Sequence, residues 1–351
     1  MIILHTADLH LNSRLETNLD STRAAKRRNE LIRTFEKIVE YAKAEGARAV
    51  ILAGDLFDES GAPSRTVESV ASIIAEAPDV DFLVLLGNHD AANPFSVLET
   101  TPPNLKLFGD NWTYFRYEGV TVAGACAPGE TMLYDGLEFS EGDYNIAVLH
   151  GDINSEIRLS ALSGKRIDYL ALGHLHAYSA GRIDGRGSYA YAGCPESRGF
   201  DEAGVKGICR IDTELHRFTF VTGFSCRTMY ELPIDVSDCG GYAEMRRAAM
   251  DALDAAGAME KDMVKIVLRG VCRSESVRDT DQLAADLEGK FYFVKVRDES
   301  RMAIRAEEYR NDLSLKGEFV RRVLASGLSE EDCEKIITFG IRAMEKGVKE
   351  L

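Results

Sequence analysis

Five of the seven histidines in this 351-residue chain stand in short polar turns, beside carboxylates and one asparagine. The turns read Asp8-Leu9-His10, Gly54-Asp55-Leu56-Phe57-Asp58, Gly87-Asn88-His89-Asp90, His150-Gly151-Asp152 and Gly173-His174-Leu175-His176. Oxygen and imidazole donors mixed in this way suit a borderline divalent cation such as manganese, iron or zinc, rather than an all-oxygen calcium site. A single catalytic metal takes about three protein ligands. This set is larger and suits two cations about 3.5–4 Å apart with one carboxylate between them. Paired cations neutralise phosphate charge and activate water, so the indicated chemistry is phosphoester hydrolysis.

Any one of these signals is weak. A lone histidine after a strand is ordinarily a hydrogen-bonded core residue. His5 is read as only the strand residue before the site and His216 as an ordinary surface residue. Five such turns in succession are hard to obtain by chance. Residues two apart in an extended turn point the same way. Asp8 and His10 can therefore approach one site together, and His174 and His176 can straddle two.

Each turn follows an apolar run. The runs are Ile2-Ile3-Leu4, Ala49-Val50-Ile51-Leu52, Phe82-Leu83-Val84-Leu85-Leu86, Ile146-Ala147-Val148-Leu149 and Tyr169-Leu170-Ala171-Leu172. Short and often β-branched, they read as buried strands. Ligands bind outside the carboxyl ends of strands in open α/β sheets, so the five turns are expected to converge on one rim of one sheet. Helical stripes lie between the runs, Leu31, Ile32, Phe35, Ile38, Val39 and Ala42 in one and Val67, Val70, Ala71 and Ile74 in another. The alternation implies a layered α/β or α+β core. From Gly181 to Phe224 the chain turns glycine-rich with short alternating runs, as hairpins finishing a sheet would.

A boundary is expected between Phe224 and Leu232, giving a first domain over 1–225. Residues 226–300 carry a β-α-β-α-β pattern, with strands at 229–234, 264–268 and 291–296 and helices at 242–256 and 281–288. Residues 301–351 are helical, with apolar stripes Leu315, Phe319, Val320, Val323, Leu324 and Ile336, Ile337, Phe339, Ile341, Met344.

Composition sets outer bounds. Hydrophobic residues make up 45% and charged residues 28%, enough for a large soluble core. No apolar stretch is long enough to span a membrane and no basic-led signal segment opens the chain, so a cytoplasmic protein is expected. Seven scattered cysteines without a CxxC pair make neither a disulfide framework nor a zinc knuckle. Lys and Arg number 42 against 57 Asp and Glu, so net charge is 42 − 57 = −15. That argues against broad nucleic-acid binding, although two bound cations would add positive charge where phosphate docks. The cluster Arg23, Lys26, Arg27, Arg28 reads either as a solvated helix face or as a local basic patch.

The order Asp-x-His, Gly-Asp, Gly-Asn-His-Asp, His, Gly-His-x-His resembles the calcineurin-like metallophosphoesterase family over about the first 200 residues. His5-Thr6-Ala7-Asp8-Leu9-His10-Leu11, Gly54-Asp55-Leu56-Phe57-Asp58, Gly173-His174-Leu175-His176 and Tyr191-Ala192-Gly193-Cys194-Pro195 are more narrowly similar to the SbcD-type DNA repair exonucleases. The resemblance implies a two-sheet sandwich flanked by helices, a small α/β capping domain over 226–300 and a helical tail. It implies that Asp8, His10 and His176 hold one metal, that Asn88, His150 and His174 hold the other, and that Asp55 bridges them. His89 would contact phosphate and protonate the leaving oxygen, with Asp90 either orienting its imidazole or raising its basicity, or else serving only as a turn-forming aspartate. The cations would be two divalent ions, manganese first, with iron, zinc or magnesium as alternatives.

By the same resemblance the partners would be DNA and an SMC-like coiled-coil ATPase of SbcC type. The cap would discriminate DNA ends, and the tail helices would grip the ATPase. A homodimer would pair through residues 20–30 and 93–100. The sequence departs from the pattern at Asn12, where glycine is common, at Cys194, where serine is common, and at Asp58, where some relatives carry a substrate-contacting histidine. Asp58 therefore takes no catalytic role in this reading. Two other functions stay open. A small-molecule phosphodiesterase would share the metal site and fit the acidic charge, but seldom needs a cap and tail. A non-catalytic scaffold for the ATPase would be expected to have lost at least one ligand.

Overall fold

The computed structural model describes residues 1–15, 19–58, 62–87, 90, 93–126, 134–272, 278–304, 306–309 and 311–346, without the side chains of 342, 345 and 346. Two compact units divide the chain, Met1–Tyr230 and Glu231–Leu351.

The first unit is built on two six-stranded sheets. In the first, strands β1 (Ile2–Thr6), β2 (Ala49–Ala53), β3 (Asp81–Leu85) and β4 (Leu105–Leu107) run parallel. The second has β5 (Thr113–Tyr117) antiparallel to β6 (Val120–Gly124), which runs parallel to β7 (Tyr144–His150), β8 (Tyr169–Gly173) and β10 (Ser188–Tyr191). Strand β9 (Ser179–Arg182) pairs antiparallel with β10 and closes the second sheet. Strands β11 (Gly207–Asp212) and β12 (Arg217–Thr222) add an antiparallel hairpin beside β1 in the first. The glycine-rich stretch after Gly181 thus finishes both sheets, not one.

Strand alternation makes the layers. Ile51, Leu83 and Leu85 of the first sheet meet Ile146, Val148 and Ala171 of the second in a shared core. On the opposite face of the first sheet, Val50, Leu52, Phe82 and Val84 pack on helices α1 (Ser21–Ala44) and α2 (Ser64–Ala75) through Phe35, Ile38, Val70 and Ile74. On the outer face of the second, Leu149, Leu170 and Leu172 pack with Tyr134 and Leu162, the latter on the short helix α3 (Leu159–Leu162). Burial on both faces is why the central strands read as unbroken apolar runs. Strands β4, β5 and β6 escape that criterion because β4 is three residues long, β5 is half exposed and β6 mixes threonine and glycine with its valines.

Helix α1 corrects one expectation. Arg27 is not on a solvated face or a basic patch. It is fully buried, its Nη1 donating to Glu30 Oε2 at 2.6 Å and Glu196 Oε1 at 2.8 Å and its Nη2 to the Ser197 carbonyl at 2.7 Å. Arg227 closes the network, donating from Nη2 to Glu30 Oε1 at 2.6 Å. Arg23 and Lys26 remain exposed.

The second unit follows the β-α-β-α-β pattern. A three-stranded sheet in the order β13 (Met229–Asp235), β14 (Met263–Arg269), β16 (Phe293–Asp298) carries α4 (Tyr242–Ala255) and α5 (Thr280–Leu287). Two-residue strands β15 (Val271–Cys272) and β17 (Arg301–Met302) pair beside it. The last helices, α6 (Leu315–Leu324) and α7 (Glu330–Lys346), share a small core of Val320, Val323, Cys333, Ile337 and Ile341. The two apolar stripes therefore split. Their inner members pack on each other, while Leu315, Ile336, Phe339 and Met344 stay exposed.

Candidate metal centre

The five turns do not come from one sheet. Those after β1, β2 and β3 leave the first sheet, while His150 ends β7 and His174 and His176 follow β8 in the second. Strands of both sheets face each other, β2 and β3 against β7 and β8, and the turns meet at their carboxyl ends. The segment after β1 runs alongside the one after β2: the N–H of Asp8 donates to the Gly54 carbonyl at 3.1 Å, that of His10 to Asp55 at 3.0 Å and that of Leu11 to Leu56 at 3.0 Å.

Four site residues that are not glycine sit in left-handed backbone: Asp8 (φ 53°), His10 (φ 43°), Asp55 (φ 52°) and His174 (φ 101°). This costs each residue energy that surrounding structure must offset, a pattern typical of functional sites. The glycines before the ligands answer a different need, close approach. A Cβ on Gly54 would collide with the His150 imidazole, and one on Gly87 with the Asp55 carboxylate.

Asp8, His10, Asp55 and His150 are buried, and His174 and His176 are partly open. Donor atoms of Asp8, His10 and His176 lie within 4.8 Å of one another, as do those of Asp8, Asp55 and His150. Asp55 Oδ2 stands between the groups, 3.7 Å from His10 Nε2 and 3.3 Å from His150 Nε2. Asp8 belongs to both, and its carboxylate accepts the His174 N–H at 2.9 and 3.1 Å. The His174 ring stacks edge-on against His150, centroids 5.4 Å apart. Asn88 and His89 lie outside the described residues.

Three of the imidazoles are held from behind. His10 Nδ1 is 3.0 Å from Asp58 Oδ1, His150 Nδ1 is 3.0 Å from the Ala53 carbonyl, and His176 Nδ1 is 2.7 Å from Glu202 Oε1. Arg198 Nη2 also comes within 3.1 Å of His176 Nδ1. Arg198 Nη2 bonds the same Glu202 oxygen, and an imidazole proton on Nδ1 would face that carboxylate. With Nδ1 donating, the Nε2 lone pairs of His10 and His150 are turned toward Asp55, the orientation a metal ligand needs.

Charge says the same. Burial pushes the Asp8 carboxyl up to about 6, against the opposing influence of His150. Burial also disfavours a charged His150, yet its bond to Asp55 and the charges of Asp55 and Asp8 outweigh that and raise it to about 9. Two buried carboxylates thus demand positive charge at this point. A divalent cation in each group would supply it, and the oxygen–imidazole donor set fits a borderline metal.

Sequence reasoning left Asp58 without a task and missed Glu202 and Arg198. Asp58 backs His10 and accepts Ser13 Oγ–H at 2.6 Å, and its carboxyl is held well below the usual range by His10 first of all. Glu202 follows Arg198 by four residues but His176 by twenty-six, a spacing that carries no local signal. Asp90 accepts three backbone N–H groups, Phe57 at 2.8 Å, Gly87 at 2.9 Å and Leu56 at 3.3 Å. His5 is buried, its Nδ1 2.8 Å from Tyr169 Oη, and burial lowers it to about 3, so it is a neutral core residue. His216 lies exposed, stacked edge-on against Tyr144.

A two-sheet sandwich with paired carboxylate–imidazole groups on one rim is the architecture of a metal-dependent phosphoesterase. The sequence profile described as Calcineurin-like phosphoesterase matches residues 1–178, and the chain belongs to that family. It is similar to proteins named DNA double-strand break repair protein Mre11. With that of Aeropyrum pernix it is 23% identical over 314 residues, 78% of this chain and 73% of the relative. With that of Methanopyrus kandleri it is 24% identical over 399 residues, spanning 100% of this chain and 83% of the relative. With that of Sulfolobus acidocaldarius it is 28% identical over 218 residues, 56% of this chain and 55% of the relative. No helix among the described residues is long and apolar enough to cross a membrane.

Proposed function

We propose that this chain is a DNA nuclease that works with two divalent cations, manganese first among them, as the catalytic subunit of a cytoplasmic repair complex with an SMC-like coiled-coil ATPase. The carrying observation is the pair of ligand groups that share Asp8, with Asp55 Oδ2 between His10 and His150. Asp8, His10 and His176 hold one cation. His150 and His174, with Asn88, hold the other, and Asp55 faces both. Once bound, the cations offset phosphate charge and lower the pKa of the attacking water. His89 contacts the phosphate and gives the leaving oxygen its proton. Asp90 fixes the turn that carries His89 by holding Gly87 to Leu56 and Phe57.

The choice of DNA draws on the relatives, whose names give them a role in double-strand break repair. The choice of partner draws on the exposed apolar side chains of α6 and α7. Pairing of two copies through residues 20–30 and 93–100 belongs to the same reading.

With manganese, the purified protein should degrade linear duplex or single-stranded DNA, and His89→Ala should stop cleavage while metal still binds. Cleavage of bis(p-nitrophenyl) phosphate with DNA left intact would select a small-molecule phosphodiesterase instead. For the partner, full-length chain should capture the ATPase and a chain ending at Asp312 should not. Equal capture would remove the tail from the interface.

A further inference from the structure

The two ligand groups are supported differently. His150 leans on backbone, the Ala53 carbonyl. His10 and His176 lean on two carboxylates far apart in sequence, Asp58 after β2 and Glu202 after β10. Arg198 joins those carboxylates. Its Nε and Nη2 donate to Glu202 Oε1 at 3.0 and 2.7 Å, and its backbone N–H donates to Glu202 Oε2 at 2.7 Å. Its Nη1 donates to Ser13 Oγ at 3.3 Å and lies 3.8 Å from Asp58 Oδ1. Ser13 in turn donates to Asp58 Oδ2. The guanidinium is mostly covered, with 18% of its side chain exposed, and Glu202 is buried.

We infer that Arg198 is the positioning residue of one cation site only, the Asp8, His10 and His176 group, because it locks Asp58 and Glu202 against each other and so sets both imidazoles. The inference rests on the metal-ligand reading proposed above. A rigid planar fork can span the carboxylates, and a compact ammonium on a flexible stem does not reproduce that geometry. Loss of such outer support ordinarily weakens a metal by about 10- to 100-fold. Here the loss falls on one ion of the pair, because the support seen behind His150 is backbone, the Ala53 carbonyl, which a substitution at Arg198 leaves in place.

Manganese titration by calorimetry, followed by electron paramagnetic resonance, tests this. Wild-type protein should take up two ions and show a spin-coupled pair. Arg198→Met should keep one ion at wild-type affinity and weaken the other about 10- to 100-fold, so that at two equivalents the coupled signal of the wild type gives way to that of isolated manganese. Arg198→Lys should recover little of the loss. Glu202→Gln should weaken the same ion and serves as an independent variant if Arg198→Met does not fold. Two ions bound with wild-type affinity in these variants, or equal weakening of both ions, would overturn the inference and leave the metal centre standing. A wild-type protein that binds fewer than two ions would overturn the two-metal reading itself.

Discussion

The Asp90 carboxylate accepts the Phe57 N–H at 2.8 Å and so fastens the turn after β3 to the turn after β2. Its other oxygen takes Gly87 and Leu56, so both oxygens bond backbone. Burial pushes this carboxyl upward while the three N–H groups oppose the shift. Asp90→Ala would strand buried donors, at about 1–3 kcal/mol for an unsatisfied group. The expected outcome is a lower urea midpoint in metal-free protein, together with weaker manganese uptake, because Asp55 rides on the same turn. Asp90→Asn keeps an acceptor oxygen and should fall between. Unchanged stability in Asp90→Ala would exclude the clamp.

The metal-free site should make stability fall as pH rises. His150 goes from an ordinary 6.5 to about 9 on folding, so its contribution is complete below about pH 6.5 and disappears as pH climbs through 9. Asp8 goes from 3.8 to about 6, which makes the fold lose stability between those values too. For His150 alone the loss is on the order of 2–3 kcal/mol. Manganese should flatten the decline, since the cation takes the place of the proton and binds better to deprotonated ligands. Denaturant melts of chelator-treated protein at pH 6.5 and 9, with and without manganese, measure it. Equal stability at both pH values without metal would show that the buried carboxylates are not being balanced by His150.

Much of this candidate centre was legible because its candidate ligands stand immediately after strands. Asp8 and His10 after β1, Asp55 after β2 and His174 and His176 after β8 are fixed by local pattern, and the buried runs before them gave the strands within a residue or two. The second sheet was harder to see. Parallel strands buried on both faces look alike whichever sheet they join, so nothing in β7 or β8 announced that their turns cross over from another layer. The supports of the site were invisible for another reason. Glu202 and Arg198 lie beyond a hairpin from His176, and Asp58 looks like any aspartate in a turn. Arg27 misled because an arginine among basic neighbours on a helix normally faces water, and its burial is offset by Glu30 on its own helix and by Glu196 and the Ser197 carbonyl from a distant segment.

That network yields a stability prediction. Arg27→Met removes one guanidinium from between Glu30 and Glu196 and leaves buried carboxylate charge behind, with Arg227 as the remaining cation on Glu30. Breaking a buried pair in this way typically costs about 3–5 kcal/mol. Urea unfolding at neutral pH should register a loss of that order. Arg23→Met, on the exposed part of the same helix, should change stability by less than about 0.5 kcal/mol. Comparable effects from the two substitutions would contradict the buried network.

The tail offers a separation of stability from association. Val320 and Ile337 are buried between α6 and α7, whereas Leu315 is 74% exposed and Phe339 64% exposed on the same helices. Substituting Ile337 by Ala should destabilise the helix pair by about 2–5 kcal/mol, the usual cost of such a truncation in a core. Leu315→Asp combined with Phe339→Asp should leave the melting of the free protein nearly unchanged, because both side chains are mostly exposed and have little cover to lose. If these helices dock the coiled-coil ATPase, the double substitution should abolish its capture, since buried aromatic and aliphatic anchors dominate interface energy and a carboxylate there would be desolvated without a partner. Full capture by a protein carrying both aspartates would place the ATPase contact elsewhere on the chain.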